Sequence, residues 1–450
     1  MSMHAHTEET ERLAQLILAY AEERFRLDPV PLDAPRTPAE LSAATGATIT
    51  EDGLGGEEAL RLFTEVLAPA CISIDHPRFL SFIPCAPTEA STLFDLVVGA
   101  SSIFGGTWLE AAGAIHAENH ALRWIADLAG FPADAGGVFV QGGTLGNLSA
   151  LVTARHAARL RRGGDPARWA LLTSDQAHSS IATAAAVMDV DVVAVPSDEG
   201  GHMRGDALAA TLDETGEGAF AVVATSGTTN LGAVDRLDDA ADVCAERGLW
   251  LHVDGAYGGA ALAAPSARHL FTGVERADSF VVDPHKWLFA PFDCCALLYR
   301  DPALAHAAHT QTAGYLEPVH TGEWNPSDYA VNLTRRARGL PFWFSLAAHG
   351  TRAYEVAIER TLEVARFAAA EIRRRSRTHE LLHEPDLSVV VFRRRGWTAE
   401  DYYGWADRLM RANYAFVVPT THDGETVTRF GIVNPRTTEA DISGILDTMA

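Results

Sequence analysis

Seven short runs of apolar, β-forming residues recur between positions 137 and 300, most of them separated by segments of helical length, and this leaves the chain few architectures. The runs are GVFVQ (137–141), WALLT (169–173), VDVVAVP (190–196), AFAVVATS (219–226), LWLHVDG (249–255), DSFVVDP (278–284) and CCALLYR (294–300). A strand with one face in water alternates polar and apolar side chains, whereas a near-continuous apolar run belongs to a strand covered on both faces. Alternation with Ala-, Leu- and Arg-rich helical segments therefore predicts an α/β fold around a large, mostly parallel sheet. Ligands of such sheets bind beyond the carboxyl ends of the strands, so the chemistry is expected in the residues that follow each run.

On either side of this region the texture changes. Residues 9 to 26 space Leu13, Ile17, Leu18 and Phe25 at helical intervals, which predicts an amphipathic arm that packs on the main domain or on a partner subunit. A Pro-rich passage, RLDPVPLDAPRTPAEL, follows as an extended linker. A long helical pattern from Ser345 to Arg375 leads into LSVVVFRR, AEDYYGWADRLMRANY, TVTRFGIVN and TEADISGILDTM, a strand–helix–strand–helix order that predicts a small C-terminal α+β domain. The expected division is a helical arm over 1–75, a large α/β domain over 76–345, and a linker helix with the small domain over 346–450.

Charge and cysteine usage narrow the partners and the compartment. The formal net charge of −23 disfavours nucleic acid and anionic membranes as partners. The five cysteines, Cys71, Cys85, Cys244, Cys294 and Cys295, show no C-x-x-C spacing and read as reduced thiols. The N-terminal segment carries acids rather than the basic region of a signal peptide, and no stretch approaches the roughly 18 apolar residues that span a bilayer. A cytoplasmic protein is expected.

The residues after the strands form an unusual set. Gly142, Gly143 and Thr144 follow the first run and open a helix whose N–H groups suit a phosphate. His178 follows the second, Thr228 and Thr229 the fourth, and Asp254, with Gly255 and Ala256, the fifth. Taken singly these are a turn and cap, a structural histidine, and a helix-capping carboxylate. Lys286 changes the reading: it stands between His285 and Trp287 at the end of a buried-looking strand, in a chain whose 36 Lys and Arg are nearly all Arg. A lysine for Schiff-base formation, an aspartate to pair with a protonated pyridine nitrogen, a glycine-rich helix start and small residues that admit a flat ring together describe a site for pyridoxal phosphate. Partial desolvation is expected to lower the Lys286 pKa toward the free amine that this chemistry needs.

SDQAHSS (174–180), ATSGTTNLGAVD (224–235), WLHVDGAYGG (250–259) and DPHKWLFAPFDC (283–294) carry a further inference: from about Asp75 to the C-terminus the chain resembles the pyridoxal-phosphate-dependent group II amino-acid decarboxylases, which include aromatic L-amino-acid and glutamate decarboxylases. The resemblance implies fold type I and a homodimer with sites at the subunit interface. By position it implies that Lys286 forms the Schiff base, His178 stacks on the cofactor ring, Asp254 pairs with the ring nitrogen and Ala256 lies beneath the ring. Gly143, Thr144 and His285 are implied near the phosphate, with Thr228 and Asp283 also at the cofactor. Two departures stand out: Leu145-Gly146 replaces the Glu-Ala of many relatives, and Asp283 stands where some carry Asn.

The reaction and substrate also follow from the resemblance. TAGYLEPVHTGEWNPSDYAVNLTRRARGL (312–340) corresponds to the family's mobile catalytic loop, and Tyr329 to its proton-donating tyrosine. Relatives with Phe there imply oxygen-dependent aldehyde formation, so Tyr329 points to an amine product; aldehyde synthase and C–C lyase activities are the alternatives. Phe82, Ile83, Pro84, Phe104 and Trp108 are expected to line the substrate pocket, whose apolar character suits an aromatic or bulky aliphatic amino acid. Gly106, where aromatic decarboxylases often carry Phe, is expected to enlarge the pocket for an indole. Arg335, Arg336 and Arg338 read as structural or interfacial, with an anionic substrate the other use open to them. His116 and His120 share a helix face, but the glutamate between them is one place late for H-E-x-x-H, so no metal site is expected.

Overall fold

The computed structural model describes residues 4–311 and 322–450. Helices α1 (Glu8–Arg26), α2 (Pro38–Thr45) and α3 (Gly56–Leu62) form the N-terminal arm, followed by α4 (Glu89–Ala100) and α5 (Trp108–Leu128). The central region alternates as expected: β1 (Gly136–Val140), α6 (Gly143–Arg162), β2 (Ala170–Ser174), α7 (Ser179–Met188), β3 (Asp191–Val195), α8 (Gly205–Thr215), β4 (Ala219–Thr225), α9 (Leu237–Arg247), β5 (Trp250–Asp254), β6 (Ser279–Val282) and β7 (Cys295–Tyr299). These seven strands make one sheet in the order β1-β7-β6-β5-β4-β2-β3. It is parallel except at β7, which runs antiparallel to both β1 and β6.

Successive side chains of a strand point to opposite faces, and here both faces are covered. Leu172, Val222, Val253, Phe280 and Leu298 enter the apolar cluster on one side. Their neighbours Leu171, Val223, Trp250, Val281 and Leu297 enter the cluster on the other. Every residue of β2, β4, β5, β6 and β7 is buried, while the edge strand β3 is largely exposed. The continuous apolar runs thus have the physical cause expected of them.

Beyond α10 (Pro302–His309), the single helical pattern anticipated from Ser345 to Arg375 is two helices, α11 (Leu340–His349) and α12 (Thr351–Arg374). Gly350 breaks it at φ +76°, a left-handed conformation that closes α11 and that glycine adopts without steric cost. The C-terminal region adds β8 (His379–Leu381), β9 (Val389–Arg394), α13 (Ala399–Arg411), β10 (Pro419–His422), β11 (Glu425–Gly431) and α14 (Glu439–Asp447). Its strands form an antiparallel sheet, β10-β11-β9-β8, with α12, α13 and α14 packed around a third apolar cluster that includes Ala365, Trp405 and Ile442. Strands β8 and β10 were not anticipated from the sequence.

Two polar contacts tie these parts together. Arg335 and Glu118, each with a side chain only 3% exposed, pair at 2.9 Å, and Arg335 also donates to the carbonyl of Phe139 on β1. His202, after β3, bridges Asp198 Oδ1 at 3.0 Å and Asp386 Oδ2 at 2.9 Å, and Asp386 lies in the C-terminal region. Removing one partner of a buried pair strands the other charge, so Glu118→Ala is expected to cost about 3–5 kcal/mol in urea unfolding; a loss below about 1 kcal/mol would show that Arg335 finds other acceptors. The hydrogen bond that His202 donates to Asp386 raises the His202 pKa against the effect of burial. The stability it contributes is therefore full below the unfolded value of about 6.5 and is lost as pH rises through the folded value. His202→Gln is expected to remove that slope from the unfolding free energy as pH rises above about 6.5.

Candidate active site

The parallel strands deliver their last residues to one edge. Asp254 is the final residue of β5, 5% exposed, and sits in register with Thr225, the final residue of β4. Its Oδ1 accepts from the Ala256 N–H at 3.0 Å and its Oδ2 from Asn147 Nδ2 at 2.8 Å. The fixed carboxylate thereby faces the same region as the start of α6.

That helix begins at Gly143 with no side-chain cap. The first N–H groups of a helix lack intrahelical partners, and the start of α6 therefore offers donors to an anion. A Cβ on Gly143 would come within 3.0 Å of the Ala256 Cβ and 3.3 Å of Asp283 Oδ2, so the glycine leaves a cradle that a side chain would fill. Across it, a Cβ on Gly142 would lie 3.6 Å from the His285 ring. Thr144 is exposed beside them.

Lys286 follows β6 and is the only lysine among the 450 residues. The buried Trp287 anchors this turn, donating from Nε1 to Thr361 Oγ1 at 2.9 Å and stacking on Tyr257. Lys286 Nζ lies 2.9 Å from Asp283 Oδ2, while Asp283 Oδ1 is buried without a hydrogen-bond partner. The expected depression of the Lys286 pKa is corrected here. Burial does lower it, but the nearby Asp283 carboxylate, with Asp254 behind it, outweighs burial and raises it. Asp283 is in turn held down by Lys286 and His285 in spite of its own burial. His285 is pushed down mainly by burial and bonds through Nδ1 to the Cys294 backbone.

His178 caps α7, its Nδ1 accepting from the Ser180 N–H at 3.2 Å, with its ring exposed at the mouth. Thr228 is 1% exposed and its hydroxyl accepts from the Ala233 N–H at 3.1 Å, so it closes its own turn.

The remaining candidates fall elsewhere. Phe82 is 59% exposed at φ +53°, next to half-buried Ile83 and buried Pro84, and its carbonyl accepts from Arg429 on β11 at 3.1 Å. Phe104 and Trp108, both half-buried, pack instead against the segment 325–337: Phe104 bridges to Arg336, and the Trp108 N–H donates to Asn325 Oδ1. Gly106 does not open space. A Cβ there would meet the Phe104 ring at 2.6 Å and the Leu333 carbonyl at 3.0 Å, so the Phe104 ring already fills the volume.

Tyr329 is likewise not on an exposed lid. It is 8% exposed, stacked on Trp324 at 3.9 Å with 8° between the planes, and its carbonyl accepts from the Tyr299 hydroxyl. Burial pushes its phenol up to about 12. Apolar packing in the cluster behind β1 and α6 holds it as an anchor at the base of the loop, whose residues 312–321 lie outside those described. Arg335, Arg336 and Arg338 are engaged by Glu118, Asp95 and Asp293. The rings of His116 and His120 lie 4.3 Å apart, tilted by 56°, and no metal-binding cluster occurs among the described residues.

Three residues went unnoticed in the sequence although spacing marks two of them. His252 lies two before Asp254 on one strand face, and Asn147 lies one turn after Gly143 on one helix face. Arg429 was visible only as a charge inside an apolar run; burial lowers it to about 10.

An uncapped helix start, a glycine cradle, a lysine against an orphaned carboxylate oxygen and a fixed aspartate at the next strand end all fit pyridoxal phosphate, and they define the class of protein. Comparison with known proteins specifies it. Residues 40–395 match the pyridoxal-dependent decarboxylase conserved domain, and the chain belongs to that family. It is 30% identical to aromatic-L-amino-acid decarboxylase of Bacillus atrophaeus over 419 residues, 89% of this chain and 86% of that protein. It is 33% identical to L-2,4-diaminobutyrate decarboxylase of Rhizobium meliloti (strain 1021), over 89% of this chain and 82% of that one. The fold matches that of Oryza sativa TDC solved with PLP and tryptamine, with a TM-score of 0.92 and 26% identity over 100% of this chain and 99% of that one. The protein is a fold type I, pyridoxal-phosphate-dependent carboxy-lyase that acts on an amino acid.

The charge balance at Lys286 is open to test. Asp283→Asn removes the main raising influence and leaves burial to dominate, so the free amine is expected at lower pH. The acid limb of the rate of cofactor capture, followed by visible absorbance, should move to lower pH; an unmoved limb would show that Asp283 does not control the lysine.

Proposed function

We propose that this enzyme decarboxylates an aromatic or bulky hydrophobic L-amino acid to the amine and CO2. The observation that carries the choice of substrate is the engagement of Arg335, Arg336 and Arg338 by carboxylates of the chain itself, which leaves none of these guanidinium groups free for an anionic side chain. An apolar, aromatic lining favours an apolar side chain.

Pyridoxal phosphate, when bound, supplies the sink for the electron pair left at Cα. Lys286 would provide the amine that joins it, and Asp254, its two oxygens fixed by Ala256 and Asn147, would hold a proton on the ring nitrogen. The Gly143 and Thr144 end of α6, with His285 beside it, would receive the phosphate, and the His178 ring would lie on the cofactor. Thr228 supports this edge from its own turn, and Asp283 governs the protonation of Lys286.

The buried seat of Tyr329 supports a second reading, oxidative aldehyde formation, because it takes away the residue that argued for simple reprotonation of Cα. We also place the enzyme in the cytoplasm as a homodimer with shared sites. Helix α1 buries none of its residues and exposes Leu16, Ile17 and Leu18, the surface expected of an arm that a second subunit covers. No described helix is long and apolar enough to cross a membrane, and all five cysteines are free thiols.

Mass spectrometry of products from aromatic, aliphatic and acidic L-amino acids, in air and without oxygen, tests the reading. An amine from aromatic substrates in both atmospheres is expected. Aldehyde and ammonia formed only in air would replace decarboxylation by the oxidative reading, and an amine formed chiefly from an acidic substrate would overturn the apolar substrate class.

A further inference from the structure

Behind Asp254 runs a continuous line of hydrogen bonds. Asn147 Nδ2 donates to Asp254 Oδ2 at 2.8 Å and to Ser180 Oγ at 3.0 Å. Asn147 Oδ1 faces His252 Nε2 at 2.8 Å, and His252 Nδ1 lies 2.8 Å from Ser279 Oγ, which accepts from Trp250 Nε1 at 2.8 Å. At the other end Ser180 meets His178 Nδ1 through both its hydroxyl, at 2.9 Å, and its N–H. Asn147, Ser180, His252 and Ser279 are each 3% exposed or less, so water has little access to replace any member.

The proton directions follow from one another. An ionised carboxylate only accepts, so Asn147 must turn its NH2 toward Asp254. The amide oxygen then faces His252, which must carry its proton on Nε2. Burial lowers the His252 pKa to about 4, so the ring is neutral near pH 7 and has one proton to place. Its Nδ1 accepts from the Ser279 hydroxyl, whose lone pair takes the Trp250 N–H. Reversing Asn147 would set its oxygen against Asp254 Oδ2 at 2.8 Å in a low-dielectric interior, where an unpaired or opposed polar group is costly.

We propose that Asn147, locked by the neutral His252, is the positioning residue that sets the Asp254 carboxylate and the His178 ring in one common orientation. A single buried amide thus registers the group at the cofactor's ring nitrogen with the group on its face. The proposal rests on the reading of Asp254 and His178 as cofactor residues.

Two measurements without substrate test it: the dissociation constant of pyridoxal phosphate from fluorescence titration of the apoenzyme, and the visible absorbance of the loaded dimer against pH. A lost hydrogen bond to a charged group costs about 1.5–3 kcal/mol, so Asn147→Leu, of similar size, is expected to weaken cofactor binding roughly 10- to 100-fold and to shift the absorbance profile. His252→Leu is expected to do the same. His252→Gln, which restores an N–H toward Asn147, is expected to recover affinity to within about threefold of the wild type. Wild-type affinity with an unshifted profile in Asn147→Leu overturns the proposal, as does equal behaviour of the two His252 variants, which a purely structural role predicts. If Asn147→Leu does not fold, the His252 pair decides. Failure of decarboxylation leaves both readouts intact, whereas a wild-type chain that binds no pyridoxal phosphate removes the site reading itself.

Discussion

A parallel sheet buried on both faces can present polar chemistry in few places, and that restriction organises this protein. Its strand interiors are mainly apolar, because two clusters close over them, and the polar residues they do hold, such as His252 and Ser279, are hydrogen-bonded. Polar residues are tolerated where the strands stop, and in a parallel sheet the carboxyl ends lie along one edge. The Asp254 and Lys286 segments and the Gly143 helix start, far apart in sequence, become neighbours because β5, β6 and β1 all terminate there.

Within that edge, electrostatics is decided by competition. Burial alone would lower the Lys286 pKa, but Asp283 at 2.9 Å reverses the direction. Asp283 survives as a carboxylate for the same reason, since lysine and histidine offset its desolvation. The mutual dependence explains how a buried acid can occupy a position near an anion site. Lys286 is also the only lysine in the chain, so in the proposed role it has no second side-chain amine as competitor.

The polar line from Trp250 to His178 shows a different use of burial. Each member has one partner geometry, and the carboxylate at its centre selects the direction of every proton. Rigid, water-poor surroundings convert a single charge into an ordered network. The Arg335–Glu118 pair and the His202 bridge act at longer range, holding α5, β1 and the C-terminal region in the relation that the site requires.

The sequence by itself determined the strand runs, the α/β alternation, Lys286 and Asp254, because continuous apolar runs, helix-length spacing and the chemistry of strand ends are local properties. It also carried the family resemblance, which the match over residues 40–395 bears out. Only tertiary structure decided the break at Gly350, the filled space at Gly106, the buried stacking of Tyr329, the raised lysine and the partners of Asn147 and Arg429. Each of these depends on which distant side chain arrives within a few ångströms. Local spacing carries no record of that, since it is fixed only when the sheet closes and the clusters on its two faces pack.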